Sequence, residues 1–220
     1  MKRSAPLLML AAALTMGACG PASADNGMAA KAAQDMPLVA RVGFNDLLRD
    51  PATPFLGAEN ADITIIGFMD YNCPYCKKMI PELDALMRAD PKVRILYMEW
   101  PIFGALSDSI ARIALAAGYQ GKYHTVHNAF MATPGRIQSE QEARRLAQAA
   151  GIDMAQLDRD LTTHRAAIDA VILRNRREAA ALALNGTPAF VINGNLIPGG
   201  MSQQQLQAVI FRIRSGQPLR

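Results

Sequence analysis

The sequence of 220 residues predicts an α/β fold with an inserted helical subdomain. Three observations lead to this prediction. Two short apolar runs, at 63–69 and 93–100, flank a helical stretch in the order strand, helix, strand. Residues 104–184 then carry helical periodicity without strand patterns. Strand patterns return only after residue 184, and a last amphipathic helix follows them.

Composition places the chain among folded globular proteins. Half of the residues are hydrophobic and 19% are charged, which excludes a disordered chain and a collagen-like repeat. Three cysteines are too few to hold a chain of this length together by disulfides. The length corresponds to one domain, or to one domain that carries an insertion.

The N-terminus has the pattern of a secretory signal peptide. Lys2 and Arg3 precede an apolar stretch at 6–18, which is too short to cross a bilayer. Two processing routes stay open: cleavage after Ala24, which removes residues 1–24, or a lipoprotein signal at 1–18 with Cys19 lipidated. Either route implies export to an oxidising compartment, and we expect this to be the periplasm. Residues 25–61 are predicted to be a leader or linker.

The net charge gives no reason to expect a nucleic-acid partner. The formal charge is +4, from 23 Lys and Arg against 19 Asp and Glu. Removing residues 1–24 leaves 21 basic and 19 acidic residues, so most of the excess belongs to the signal. Dense basic runs, which nucleic-acid binding favours, are missing from the sequence.

The first half of the α/β unit is predicted at 62–103. Residues 63–69 form a nearly continuous apolar run, typical of a strand that is buried on both faces. Pro74 suits the first position of a helix, and Pro81 is expected to kink that helix. The second strand is predicted at 93–100, in a right-handed parallel crossover.

The helical insertion is predicted at 104–184, and the second half of the α/β unit at 185–220. Helix caps are predicted at Ser139 with Glu142 and at Asp153 with Gln156, and the last helix of the insertion at 165–184. An Asn-Gly turn between two apolar runs predicts a hairpin at 189–197. The final helix is predicted to begin at a capping box; its residues are Ser202 and Gln205.

The most informative motif is Cys73-Pro74-Tyr75-Cys76, which follows a strand and begins a helix. A thiolate at a helix N-terminus is stabilised by free backbone N–H groups, so we expect Cys73 to be exposed and acidic. Cys76 lies one turn further into the helix, so we expect it to be shielded. The alternative is half of a zinc site, whose other ligands would have to be two of His124, His127 and His164. Zinc is the less favoured interpretation, and no metal site is predicted.

A second motif, Gly186-Thr187-Pro188, stands directly before the returning strand. A proline there indicates either a strained turn with a cis peptide bond or an ordinary proline at the start of a strand. The tripeptide alone leaves both alternatives open.

Together these elements resemble a DsbA-like thioredoxin-superfamily disulfide oxidoreductase over residues 55–215. The similarity is carried by residues 68–76 and 186–190, and it is strongest to ScsC-type and Com1-type envelope proteins. The resemblance implies a thioredoxin fold with Cys73 as nucleophile, Cys76 as resolving thiol and Pro188 in the cis form. It also implies a redox-active disulfide in place of a bound cofactor.

Two departures from the family bear on the direction of the reaction. Well-known DsbA oxidases carry His at the position of Tyr75, and the Cys-Pro-Tyr-Cys motif is also similar to that of glutaredoxins, which are less oxidising. Thr187, the residue before Pro188, resembles the residue at this position in disulfide isomerases more than that in oxidases. The family resemblance favours a periplasmic disulfide donor, whereas both departures point toward the alternatives. The alternatives are an isomerase or reductase kept reduced by a membrane partner, or a Cu(I)-binding protein like ScsC.

The expected partners are cysteine-containing envelope proteins and a membrane redox partner. An extended client could pair with the backbone at Thr187 and Pro188, next to Pro74 and Tyr75. The side chains of Met69 and Met201 either line such a groove or, as we favour, belong to the core. Two carboxylates, those of Asp70 and Glu99, are candidates to relay protons to Cys76, although the sequence identifies no partner for a buried carboxylate.

Overall fold

The computed structural model describes residues 53–219. The predictions for the signal at 1–24, for Cys19 and for most of the leader lie outside these residues. The described chain forms five strands, seven α-helices and one short 3₁₀ turn, Gly118–Gln120. The strands are β1 Phe55–Gly57, β2 Ile63–Met69, β3 Val93–Glu99, β4 Ala189–Ile192 and β5 Asn195–Pro198. The helices are α1 Pro74–Ala89, α2 Ala105–Ala117, α3 Tyr123–Ala132, α4 Glu140–Ala149, α5 Met154–Thr163, α6 Arg165–Ala181 and α7 Gln203–Arg214.

The five strands form one mixed sheet in the order β1-β3-β2-β4-β5. The central strand β2 runs parallel to β3 and antiparallel to β4. Every residue of β2 is buried, as expected for a strand covered on both faces. Helices α2 to α6 lie between β3 and β4 in sequence, which confirms the predicted α/β fold with a helical insertion.

The register of β2 and β4 positions the candidate site. Phe68 near the end of β2 pairs with Ala189 at the start of β4. Because the two strands are antiparallel, the loop that follows β2 and the loop that precedes β4 lie at the same edge of the sheet. The first loop leads to Cys73 and the second contains Pro188.

The predicted helix starts and the hairpin are confirmed. The Ser139 and Asp153 side chains each accept a hydrogen bond from the backbone N–H three residues later, and Ser202 forms a complete capping box. Asn193 and Gly194 both have positive φ, 43° and 84°, as the tight turn between β4 and β5 requires. Helix α1 runs from Pro74 through Pro81 without interruption.

Strand β1 was not predicted, because it lies within the stretch interpreted as leader or linker. It has three residues and pairs antiparallel with β3 at the edge of the sheet. Gly57 has φ of 108°, and a Cβ atom there would lie 2.4 Å from the Val93 carbonyl oxygen, so the strand approaches β3 as only glycine permits. A three-residue edge strand beside two prolines is too short for alternation to reveal it.

The main hydrophobic core joins one face of the sheet to α1, α7 and the helical insertion. A smaller core on the other face packs β2, β3 and β4 against the end of α6. Met69 is 2% exposed and belongs to the main core, and Met201 packs against this core. This confirms the favoured prediction that both methionines are core residues. Within residues 53–219 no helix has the length and apolar character to cross a membrane.

Candidate active site

The two cysteines lie at the start of α1. Cys73 is the N-cap residue with an extended backbone, and Pro74 occupies the first helical position. Both thiols are free. The prediction that Cys73 is exposed is wrong, because only 1% of its surface is accessible. The turn before β4 packs against it, and in the protonated form the Cys73 thiol donates to the Thr187 carbonyl oxygen at 3.2 Å.

The two thiols have opposite acidities. The pKa of Cys73 is lowered to about 6, chiefly because the Cys76 thiol donates a hydrogen bond to its sulfur; burial opposes this effect. The Thr187 side chain and the backbone N–H groups of Tyr75 and Cys76 lower it further. The pKa of Cys76 is raised, because the sulfur is buried and its proton is held by Cys73. At neutral pH the pair therefore holds a thiolate at Cys73 and a thiol at Cys76.

The Thr187-Pro188 peptide bond is cis, as the family resemblance implied. The Thr187 hydroxyl is buried and makes no hydrogen bond of ordinary geometry, yet it lies close enough to lower the pKa of Cys73. Within residues 53–219, the backbone N–H of Thr187 donates to no acceptor. An extended polypeptide could use this free donor to pair with the turn.

Pro74 and Tyr75 are exposed beside the buried sulfurs. Tyr75 is 65% exposed, and the Lys78 ammonium lies 5.5 Å from the centre of its ring. The structure thus brings together the four residues predicted to bind clients: two on the surface of α1, and Thr187 and Pro188 in the opposing turn.

The Asp70 carboxylate anchors loops. Its Oδ1 accepts from the Asn72 N–H and the Ser107 hydroxyl, and its Oδ2 accepts from the N–H groups of Ile102 and Phe103. It is the backbone of Asp70 that faces Cys76. With four donors on the two carboxylate oxygens, the geometry favours positioning over the proton relay that the sequence suggested.

Glu99 is the centre of a buried polar cluster, which we call the Glu99 cluster. Its Oε1 accepts from the hydroxyls of Tyr71, at 2.6 Å, and Tyr123. The Tyr71 oxygen also lies 3.0 Å from Nδ1 of His127. Burial raises the pKa of Glu99 to about 7, although both hydroxyls oppose the shift, and burial lowers the pKa of His127 to about 3.

The partners of Glu99 were missed by sequence reasoning. His124 and His127 lie three residues apart on α3, as expected. His127 is buried, however, and the His124 ring bonds to the carbonyl oxygen of Phe55. The spacing of Tyr123 and His127, four residues apart on α3, is compatible with a shared partner, but nothing local points to Glu99.

Two side chains next to the cysteines hold a loop of the helical insertion. The Asn72 side chain exchanges two hydrogen bonds with the backbone of Ile137, at 2.8 and 3.2 Å. The Lys77 ammonium donates to the carbonyls of Thr133 and Gly135. The residue before Cys73 and the residue after Cys76 thus fix the loop between α3 and α4.

A cavity of about 560 Å³ lies elsewhere, between β1 and the helical insertion. Phe55, Tyr119, His124 and Val171 are among its lining residues, and neither cysteine contributes to it. Residues 53–219 contain no group of three His, Cys, Asp or Glu side chains that could hold a metal ion.

Comparison with known protein families gives a match over residues 64–211 to the model of the DSBA-like thioredoxin domain. The match begins in β2 and ends in α7, so it includes both cysteines, the helical insertion and the cis-proline turn.

Three solved structures share the fold. A thioredoxin-like oxidoreductase from Silicibacter pomeroyi is 42% identical, with a TM-score of 0.73, and the match covers 78% of this chain and 98% of that one. A periplasmic thioredoxin-like protein from Salmonella enterica is 29% identical, with a TM-score of 0.63 and coverage of 76% and 92%. The thiol-disulfide exchange protein α-DsbA2 from Wolbachia pipientis is 25% identical, with a TM-score of 0.72 and coverage of 88% and 100%.

Curated relatives include Na⁺/H⁺ antiporters. One from Salinispora arenicola is 25% identical over 166 residues, which are 74% of this chain and 25% of the antiporter. The chain thus spans about a quarter of the length of the curated relatives it matches.

Proposed function

We propose, from the premise that this chain belongs to the DSBA-like thioredoxin domain family and is a thiol-disulfide oxidoreductase, that it donates disulfides to cysteine-containing proteins of the periplasm. The observation that carries the proposal is the division of acidity within the redox pair. Cys73 is ionised near neutral pH, whereas Cys76 keeps its proton.

The reaction needs only the redox pair and the client. In the oxidised protein, a client thiolate attacks the Cys73 sulfur and breaks the Cys73–Cys76 bond, so that a mixed disulfide forms and Cys76 leaves and takes up a proton. A second client thiolate then attacks the client sulfur of the mixed disulfide and displaces Cys73. Two electrons pass from the client to the pair, and the client gains one disulfide.

The acidity of Cys73 favours donation. A pKa lowered from 9.0 to about 6 stabilises the reduced pair at pH 7. This stabilisation is about 1.4 kcal/mol, which raises the reduction potential by about 30 mV. Cys73 is also the leaving group in the second step, and a thiolate of low pKa leaves faster.

The geometry also suggests how clients bind. The turn at Thr187 and Pro188 offers a free N–H beside the buried sulfur, and Tyr75 offers an exposed ring on the other side. A client in extended form would pair through its backbone, which makes recognition at the turn largely independent of its side chains.

The periplasm is proposed on two grounds. The N-terminal residues have the pattern of an export signal, and one structural neighbour is a periplasmic protein. The processing site, after Ala24 or before a lipidated Cys19, is part of the same proposal. We expect a membrane protein to reoxidise the pair after each turnover.

Trapping tests the chemistry. A Cys76→Ser variant incubated with a disulfide-bonded peptide should accumulate a mixed disulfide at Cys73, because the resolving thiol is missing. The matched Cys73→Ser variant should trap none. In the donor direction, each molecule of the oxidised wild-type protein should convert about one dithiol peptide to the disulfide. Thiol alkylation and mass spectrometry measure this conversion. A Cys76→Ser variant that traps no peptide would contradict the proposed chemistry.

A further inference from the structure

Large apolar side chains are exposed around the redox pair. Tyr75 is 65% exposed, and Ile102 and Phe103, which follow β3, are each 40% exposed. An isolated exposed apolar residue needs no explanation, but three that converge on one site do. Their convergence follows from the hydrogen bonds that hold their segments.

Asp70 holds Ile102 and Phe103 next to the cysteines. Its carboxylate accepts from the backbone N–H groups of both residues, at 2.7 and 3.2 Å. Its own carbonyl oxygen accepts from the Cys73 N–H at 3.0 Å. One residue therefore joins the start of α1 to the loop between β3 and α2.

Arg136 is brought to the same place by the loop between α3 and α4. Asn72 binds the backbone of the next residue, Ile137, through two hydrogen bonds. The Arg136 guanidinium then lies 4.8 Å from the centre of the Phe103 ring. Phe103 thus has a cation–π contact with Arg136, as Tyr75 has with Lys78. We call the five residues Tyr75, Lys78, Ile102, Phe103 and Arg136 the rim.

The charge of the rim is positive and unpaired. Within residues 53–219, no carboxylate lies within ion-pair distance of Lys78 or Arg136. Two acids near these cations in the sequence have other partners: Glu82 accepts from the Gln203 N–H, and Glu142 accepts from the Gln138 N–H.

We propose that the rim determines client specificity, and that it selects polypeptides whose reacting cysteine is flanked by acidic and aromatic side chains. Lys78 and Arg136 would pair with client carboxylates while the rings of Tyr75 and Phe103 contact client apolar groups. This proposal rests on the proposed function. It adds side-chain selection to the sequence-independent backbone pairing at Thr187.

The expected preference follows from the strength of exposed ion pairs. One such pair changes an equilibrium roughly two- to fivefold, so the two together give a preference of about tenfold at low salt. Exposed charges are screened by salt, so the preference should shrink toward unity at about 1 M ionic strength.

Competition between matched peptides tests the proposal. The oxidised full chain is mixed with reduced dithiol peptides that are identical except for Glu or Lys at the positions three and four residues from the reacting cysteine. Because flanking charge alters the pKa of a peptide thiol, each rate is divided by the rate of the same peptide with hydroxyethyl disulfide. The normalised rate should be about tenfold higher for the acidic peptide.

Charge-removing variants assign the effect to the rim. The double variant Lys78→Gln, Arg136→Gln should lose most of the preference. The control Arg88→Gln lies at the other end of α1 and is matched in charge to each single variant, Lys78→Gln or Arg136→Gln; it should retain the preference. Each variant is also reacted with uncharged 2-mercaptoethanol, to separate selectivity from the reactivity of the redox pair.

Two results would overturn the proposal, and they are distinguishable. Equal normalised rates for both peptides, or a preference that survives the double variant, would refute the role of the rim while leaving the oxidoreductase intact. A protein that oxidises neither the peptides nor 2-mercaptoethanol would refute the proposed function, and the specificity proposal with it.

Discussion

The Tyr71 hydroxyl donates a 2.6 Å hydrogen bond to Oε1 of Glu99, and both groups are buried. This bond connects a residue two positions before Cys73 with the last residue of β3. Because Tyr71 uses its hydrogen on Glu99, the hydrogen between Tyr71 and His127 belongs to Nδ1 of the histidine. The Glu99 cluster therefore has a defined order of donors and acceptors beneath the active-site loop.

Glu99 should make stability fall as pH rises. Burial raises its folded pKa to about 7, above the ordinary value of 4.5. The folded state binds the carboxyl proton more tightly than the unfolded state does. The free energy of unfolding therefore falls as pH rises between these two values, by on the order of 3 kcal/mol for a fully buried group. Glu99→Gln keeps an acceptor for both tyrosines and does not titrate, so it should remove this loss.

Urea unfolding at pH 5 and pH 8 measures the effect. The stability of Glu99→Gln relative to the wild type should increase between the two pH values. Taking this difference cancels the other titrating groups, Cys73 included. Parallel pH profiles for the two proteins would show that Glu99 is ionised throughout this range.

The acidity of Cys73 should depend on the thiol of Cys76. The hydrogen bond from Cys76 is the largest cause of the lowered pKa, so Cys76→Ala should raise the pKa of Cys73 from about 6 toward its ordinary value. Cys76→Ser retains a donor and should raise it less. Thiolate absorbance near 240 nm, followed against pH in the reduced proteins, gives both values. If both variants keep a Cys73 pKa of about 6, the Cys76 thiol has no part in that acidity.

The Thr187 hydroxyl should assist the thiolate. Thr187→Val removes this donor but keeps the shape of the side chain and the backbone of the turn. We expect alkylation of Cys73 at pH 6 to slow severalfold, since a single donor to a thiolate is worth roughly 1 kcal/mol. Thr187→Ser keeps the hydroxyl and should react at nearly the wild-type rate. If the valine and serine variants react alike, the hydroxyl has no part in the acidity.

Asp70 should contribute more to stability than any of its partners. Asp70→Asn replaces one of the two acceptor oxygens by an NH₂ group. Each oxygen of Asp70 accepts from two donors, so in either orientation of the amide the NH₂ group faces two donors that have lost their acceptor. We expect a loss of roughly 2–4 kcal/mol, because buried donors lose their acceptor. Ser107→Ala removes one donor and should cost about 1 kcal/mol. Thermal unfolding ranks the variants, and an Asp70→Asn protein as stable as Ser107→Ala would contradict the anchoring role.

The parts that sequence predicted well are those set by local patterns. The strand at 63–69 matches β2 at both ends, because a buried central strand is apolar throughout. The caps at Ser139, Asp153 and Ser202 follow from side chains that bond within three residues. The cis bond at Pro188 was implied by the family resemblance, since the tripeptide alone allowed both isomers.

The parts that sequence missed depend on contacts between distant segments. Cys73 is buried by Thr187, which lies 114 residues further along the chain. Glu99 finds its donors on another strand end and on α3, and Asp70 finds its partners beyond β3. Residue spacing within one segment carries no information on contacts between distant segments. Asp70 and Glu99 could therefore be identified from the sequence, but their hydrogen-bond partners could not.

The reduction potential of the Cys73–Cys76 pair tests the central claim most directly. The pair is equilibrated in glutathione buffers and followed by the fluorescence of Trp100, the single tryptophan, with thiol alkylation as a check. A disulfide donor should have a potential of about −180 mV or less negative, toward the value of about −120 mV for DsbA. A potential at or below about −230 mV would contradict donation and identify a reductase or isomerase.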